Sequence, residues 1–238
     1  MTYAGGKGNV YHQIINLMPP HDVYIEPFMG GASIMRMKRP AAHSIGVDRD
    51  GRAVEAFKLL AAPNLASGAG NGTPSLETAM VEHGDGIEFL RRYDWRGGEL
   101  VYCDPPYLME TRSSKRRIYA CEMSVREHRR LLDVIRRLPC MVIISGYDSE
   151  LYRGALAGWN THSFNAVTRS GRVAREFVWY NYPPPFELHD YRYLGENFRE
   201  RARINKKKKR WRAKLANLPP LERHAIFSAI EELRSQGS

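Results

Sequence analysis

Asp104-Pro105-Pro106-Tyr107 directly follows the apolar run Leu100-Val101-Tyr102-Cys103, and these residue types suit one kind of chemistry. The exocyclic amino nitrogen of a base such as adenine is a poor nucleophile, because its lone pair is delocalised into the ring. Two acceptors aimed at its N–H bonds can localise that pair. Asp104 offers a carboxylate, and Pro105 offers a backbone carbonyl without an N–H of its own. The adjacent Pro106 stiffens the turn, so the acceptors are held in place before reaction. Tyr107 offers an aromatic face on which a base taken out of its stack can lie. Attack on an activated methyl group then needs alignment more than acid–base help. The plain alternative is an ordinary Asp-Pro turn after a strand.

A second cluster suits a bound cofactor. Glu26-Pro27-Phe28-Met29-Gly30-Gly31 follows the β-prone run Val23-Tyr24-Ile25. Glycines there let a ligand approach the backbone, and a following helix points N–H groups at it. Asp48 ends the run Ser44-Ile45-Gly46-Val47, where a carboxylate can accept both hydroxyls of a ribose. Taken alone, it reads first as the N-cap of the next helix. Asp85, within Gly84-Asp85-Gly86, reads first as a turn residue and second as a ligand.

The elements that carry these residues alternate. Near-continuous apolar runs at Val23-Tyr24-Ile25, Ser44 to Val47, Leu100 to Cys103 and Met141-Val142-Ile143-Ile144 predict strands buried on both faces. Helical patterns lie between them, around Ala53 to Leu60 and from Ser124 to Leu138, with Ser124 and Glu127 forming a capping box. Such alternation predicts an α/β, doubly wound parallel sheet, whose ligands bind at the carboxyl edge of the strands. Thr161 to Val167 and Glu176 to Tyr182, joined by Arg169-Ser170-Gly171-Arg172, predict a terminal antiparallel hairpin. Ala61 to Thr78 reads as a flexible loop. Pro183-Pro184-Pro185 is expected to end the α/β body, giving a catalytic domain over 1–185 and a basic helical extension over 186–238. Leu221 to Leu233, after Pro219-Pro220, is an amphipathic helix candidate.

Taken in order, Tyr3-Ala4-Gly5-Gly6-Lys7, Glu26 to Gly31, Asp48, Asp85 and Asp104 to Tyr107 resemble the Dam-like, D12-class DNA adenine N6-methyltransferases over roughly Thr2 to Pro183. Ser145-Gly146-Tyr147 and Glu176 to Asn181 look like that family's later strands. The resemblance implies a Rossmann-like S-adenosylmethionine-dependent methyltransferase fold, S-adenosylmethionine as methyl donor, double-stranded DNA as substrate and flipping of the target adenine. It implies cofactor contacts from Tyr3, Gly5, Gly6, Lys7, Glu26, Pro27, Phe28, Gly30, Gly31, Asp48 and Asp104, with Asp85 meeting the cofactor's adenine. Fuller members carry a helical target-recognition domain between the ribose-binding acid and the next acidic motif. Here that interval holds one helix and the Ala61 to Thr78 stretch, so a compact phage, prophage or bacterial type of relaxed specificity is expected.

A formal net charge of +10 predicts a polyanionic partner. Arg112, Lys115, Arg116 and Arg117 follow the Asp104 tetrapeptide and are candidates for holding phosphates beside a flipped base; a solvated loop is the bland reading. Arg169 and Arg172 form a second group. Lys206 to Arg212 forms a third, of a type that binds nucleic acid without sequence preference. No apolar run is long enough to span a bilayer, so no membrane partner is expected. Cys103, Cys121 and Cys140 lack zinc-type spacing and read as reduced thiols of a cytoplasmic protein. His12, His21, His83, His128 and His224 show no metal-ligand spacing, and no metal is expected. Two alternatives stay open: an RNA base methyltransferase using the same Asp-Pro-Pro-Tyr chemistry, and a catalytically silent DNA-binding protein.

Overall fold

Four apolar runs become the middle of a seven-stranded sheet, in the order β3-β2-β1-β4-β5-β7-β6. The computed structural model describes residues 7–8, 10–62, 79–112, 116–167, 171 and 173–236. Expectations for Tyr3, Gly5, Gly6, Lys115, Arg169 and Arg172, and for most of the Ala61 to Thr78 stretch, lie outside them. The strands are β1 (Val23–Glu26), β2 (His43–Asp48), β3 (Ala79–His83), β4 (Glu99–Cys103), β5 (Met141–Gly146), β6 (Asn160–Val167) and β7 (Val173–Tyr180). The first five run parallel, and β7 pairs antiparallel with both β5 and β6. This is the expected doubly wound sheet with its terminal hairpin. β4 is buried at every position, as a central strand covered on both faces must be.

α1 (Tyr11–Ile15) precedes β1, and helices α2 (Ser33–Met37), α3 (Gly51–Ala61), α4 (Gly86–Arg92), α5 (Val125–Ile135) and α6 (Glu150–Ala155) connect successive strands. The Ser124 capping box forms as expected: Ser124 Oγ accepts from Glu127 N and Glu127 Oε2 accepts from Ser124 N. Asp50, not Asp48, is the N-cap of α3, accepting from Arg52 N at 3.1 Å. The strand β3 goes beyond the sequence-based expectation. It is an edge strand with mostly exposed side chains, Met80 among them at 70%, so no apolar run marks it. Ile25, Val101, Val142, Ile144, Leu131, Leu132, Ile135 and Trp179 lie in one core cluster between sheet and helices.

The chain divides into two compact units, residues 1–190 and 191–238. Residues 186–190 therefore stay with the first unit. His189 N donates to Met18 O at 2.9 Å, Asp190 Oδ2 accepts from Arg39 N at 2.8 Å, and the His189 ring stacks on His21 at 3.9 Å. The second unit contains α7 (Phe198–Ala216) and α8 (Pro220–Gln236). Among the described residues no helix is long and apolar enough to cross a membrane, and no group of three or more potential metal ligands occurs.

Three buried histidines make the fold acid-sensitive. Burial, with Lys38 nearby, pushes His21 down to about 2; burial also pushes His128 and His189 down to about 4. All are neutral when folded and take up protons on unfolding below their ordinary value of 6.5. Their stabilising contribution is complete above that pH and is lost as pH falls toward 4. Glu26 works in the opposite direction: burial raises it from 4.5 to about 7, so its contribution grows as pH falls through that window. His21→Phe keeps a ring against His189 but removes one site of proton uptake. The urea midpoint of this variant should fall less steeply between pH 6.5 and 4 than that of the native chain; parallel curves would show that His21 is not held neutral.

Candidate active site

The strand order reverses between β1 and β4, and open α/β sheets bind ligands outside the carboxyl ends of strands at such a switch point. A cavity of about 560 Å³ lies there, and its lining includes Lys7, Glu26, Phe28, Gly30, Gly31, Asp48, Asp104, Pro105 and Pro106. Of the expected cofactor residues that the structure describes, Pro27 and Asp85 do not line it.

The turn after β1 is built for close approach. Gly30 takes φ of 47°, and Ala32 follows at 49°, a conformation that costs a side chain energy and a glycine nothing. Gly30 N donates to Asp48 Oδ2 at 2.7 Å, while Asp48 Oδ1 accepts from Asp50 N at 2.7 Å. Burial raises the Asp48 carboxyl above its ordinary value, and these two backbone N–H groups oppose the rise. Glu26 Oε1 accepts from Tyr24 Oη at 2.6 Å and Met35 N at 2.8 Å, which fixes α2 onto β1. Pro27 acts through its backbone: a Cβ on Gly86 would lie 1.9 Å from Pro27 O, so only glycine lets α4 start against this turn.

Asp85 is placed differently from the expected cofactor contact. Its Oδ1 accepts from Ile87 N and Glu88 N, capping α4, and its Oδ2 accepts from Arg49 Nη2 at 2.7 Å. Both oxygens are thus engaged within the protein. Burial raises its carboxyl, but Arg49 and the two N–H groups outweigh this and hold it below the ordinary range. Arg49 also reaches Glu127 Oε1 at 2.6 Å and itself lines the cavity. A lone arginine after Asp48 carries no spacing signal, so the sequence does not mark Arg49.

Asp104 sits at the end of β4 with one oxygen held. Its Oδ1 accepts from Lys7 Nζ at 2.8 Å and from Ser145 Oγ at 2.7 Å. Its Oδ2 has no hydrogen-bond partner among the described residues. Lys7 is 3% exposed; it also donates to Tyr107 Oη at 2.7 Å and lies 3.5 Å from Glu176 Oε2. Burial opposes its charge, but Asp104 and neighbouring groups that include Glu176 outweigh burial and raise its pKa. Glu176, from β7, accepts from Tyr107 Oη at 3.0 Å. By sequence Ser145 and Glu176 read only as strand residues. A carboxylate within the otherwise apolar run Glu176-Phe177-Val178-Trp179 is the available signal for the second.

Two side chains sit elsewhere than their expected roles suggest. Tyr107 is 5% exposed and does not line the cavity. Its hydroxyl is tied to Lys7 and Glu176, and Tyr147 packs on its ring at 4.8 Å between centroids; the aromatic residues that line the cavity are Phe28, Tyr102 and Tyr119. Arg112 is buried too, rather than free for phosphates. Its Nε donates to Tyr107 O at 2.7 Å, and its guanidinium is paired with Glu122. Burial raises Glu122, but Arg112 and the Ile118 and Tyr119 N–H groups bring it down to about 2. This pair holds the segment 116–123 against the tetrapeptide. Arg116 and Arg117 remain exposed.

Lys7 bridges the Asp104 and Glu176 carboxylates, so Lys7→Met should destabilise the fold by about 3–5 kcal/mol, the usual cost of breaking a buried pair. Adding Glu176→Gln should recover part of that stability, because it removes one uncompensated charge. Denaturant unfolding of the single and double variants measures both effects, and additive destabilisation would mean that Glu176 is not coupled to Lys7.

No curated protein matches the chain by sequence. Among solved structures, a conserved hypothetical protein from Streptococcus pyogenes is similar with TM-score 0.49 and 14% identity, over 77% of this chain and 99% of that one. A magnesium protoporphyrin IX methyltransferase from Synechocystis PCC 6803, solved with bound S-adenosylmethionine, is similar with TM-score 0.45 and 15% identity, over 72% of this chain and 74% of that one. The family model described as D12 class N6 adenine-specific DNA methyltransferase matches residues 3–68 and 75–170. That match spans every residue lining the cavity, from Lys7 below Asp104 to Met123 beyond the tetrapeptide, and the chain belongs to the D12 class N6 adenine-specific DNA methyltransferase family.

Proposed function

We propose that the protein transfers a methyl group from S-adenosylmethionine to N6 of an adenine in DNA, with the base taken out of its stack. One observation carries this reading: Lys7 and Ser145 hold Asp104 by Oδ1 alone, so Oδ2 keeps its acceptor capacity beside the cavity. A carboxylate oriented in this way can accept one amino N–H, and the Pro105 carbonyl can accept the other. The prolines add no N–H that would compete. The Lys7 ammonium, 2.8 Å from Oδ1, holds the carboxylate in one orientation. Ser145 and Tyr107 fix the geometry from either side. The bond-forming step then depends chiefly on alignment.

The cavity suits the methyl donor. The glycine turn allows backbone approach, and Asp48 presents a carboxylate with capacity beyond its two backbone hydrogen bonds. Asp48 would take the ribose hydroxyls, with Phe28, Gly30 and Gly31 around the remainder. When bound, S-adenosylmethionine supplies an electrophilic methyl group. Tyr119, which lines the cavity on the segment secured by the Arg112–Glu122 pair, would cover the base in this reading. Tyr3, Gly5 and Gly6 complete the proposed contacts by family resemblance.

Recognition of surrounding sequence is proposed to be loose. The interval between Asp48 and β3 is thirty residues long, short for a separate base-reading domain, which typically takes roughly 50 residues or more. Arg116 and Arg117, with Lys115, Arg169 and Arg172 from the sequence, are suited to phosphates, which repeat along every duplex.

Incubating the purified chain with labelled S-adenosylmethionine and mixed-sequence DNA should give N6-methyladenine in several sequence contexts, and Asp104→Ala should abolish it. Methylation of structured RNA alone, or modification confined to one fixed site of about four bases or more, where each base read adds roughly 1–3 kcal/mol of discrimination, would refute the corresponding part. Asp48→Ala should weaken cofactor binding by about 1.5–3 kcal/mol, the worth of hydrogen bonds to a charged group. Calorimetry giving unchanged affinity would remove Asp48 from the cofactor site.

A further inference from the structure

The positive charge of this protein belongs to a different unit from its cavity. Residues 191–238 hold thirteen lysines and arginines against five acids, a net charge of +8; residues 1–190 hold twenty-three against twenty-one, a net charge of only +2. Within the second unit the charge concentrates on α7, which carries ten basic residues and one acid, Glu200, along nineteen residues. At 1.5 Å per residue this is a rod of roughly 28 Å. Lys206, Lys207, Lys208, Lys209 and Arg210 are consecutive, so at about 100° per residue their side chains pass all the way round the axis.

Little in the protein balances them. Arg203 pairs with Glu200 at 3.4 Å, and Lys208 donates to Tyr191 O at 3.2 Å. Lys206, Lys207, Lys209, Arg210 and Arg212 have no acidic partner among the described residues and are all exposed, and α7 has no buried residue. Like charges recur four apart at Lys206 and Arg210, Lys208 and Arg212, and Arg210 and Lys214, an arrangement that weakens a helix in water. A helix held against such repulsion gains most when a regular array of anions surrounds it. Lysine ammonium groups are compact point charges that meet phosphate without the planar, two-pronged geometry by which arginine reads guanine.

We propose that α7 is the surface by which the chain holds the phosphate backbone of duplex DNA, without regard to base sequence. This deepens the DNA-substrate reading and rests on it. The nearly neutral body supplies the chemistry, and α7 supplies the affinity and its salt dependence.

The test compares full-length native protein with two variants, Lys206 to Lys209 all changed to Gln and the same four changed to Arg, using fluorescence anisotropy on a mixed-sequence DNA duplex across a salt series. The Gln variant should bind on the order of tenfold or more weakly at low salt. Its plot of log affinity against log salt should be shallower by about two to four units, near 0.9 for each phosphate that the variant no longer neutralises. The Arg variant should behave as native. Methyl transfer by the Gln variant at saturating DNA should keep its kcat while KM for DNA rises. Equal affinity and slope for the Gln and native proteins would overturn the proposal, as would equal weakening in the Gln and Arg variants. Tighter, lysine-dependent binding of structured RNA than of duplex DNA would overturn DNA as the occupant. Binding is read without methyl transfer, so failure of the adenine-methylation assay and failure of this proposal remain distinguishable.

Discussion

A lysine ammonium sealed under the end of β4 has to be neutralised where it stands, and the geometry of the site follows from how that is done. Asp104 and Glu176 approach it from strands at different positions in the sheet, and the Tyr107 hydroxyl joins them. Water offers no relief to a group that is 3% exposed, so the carboxylates have to lie close to it. That burial secures a fixed orientation for Asp104. One oxygen is committed to Lys7 and Ser145, and the other has no hydrogen-bond partner among the described residues. A solvent-exposed aspartate in the same turn would have no such constraint and would sample several rotamers.

Two arginine bridges extend this order outward. Arg49 ties the end of β2 to the caps of α4 and α5 through Asp85 and Glu127, which locks one wall of the cavity. Arg112 ties the backbone of Tyr107 to Glu122, which brings Tyr119 to the opposite side. In both cases a residue type suited to substrate or phosphate serves as internal support. The site is therefore a set of held loops on a rigid sheet edge, the usual division of labour in open α/β proteins.

Charge is divided in the same spirit. The body approaches neutrality because its acids are used in caps, pairs and the Asp104 network, whereas α7 has almost no acids to use. Long-range attraction to a polyanion and short-range alignment of one base impose different demands: the first wants many unpaired cations on the surface, the second wants every nearby charge accounted for. If α7 holds DNA as proposed, placing them in separate units lets each be met.

Much of the fold was legible in the sequence because buried parallel strands cannot disguise themselves. Val23-Tyr24-Ile25, Leu100 to Cys103 and Met141 to Ile144 are apolar at nearly every position, and the capping box at Ser124 needs only local chain geometry. The edge strand β3 escaped notice because one exposed face removes that signal. The order of motifs from Lys7 to Tyr107 was also enough to locate Asp104, the glycine turn and Asp48 in one cavity. What the sequence could not determine was which charges would find one another. Glu176 lies far along the chain from Lys7 and meets it only because β7 inserts antiparallel beside β5. Asp85 and Arg112 carry the residue types of ligand and phosphate contacts, yet the fold supplies each with a nearer internal partner. An ionisable side chain is assigned by whatever lies within a few ångströms of it, since electrostatic attraction in a low-dielectric interior rises steeply at contact, and those neighbours are chosen by the tertiary structure alone.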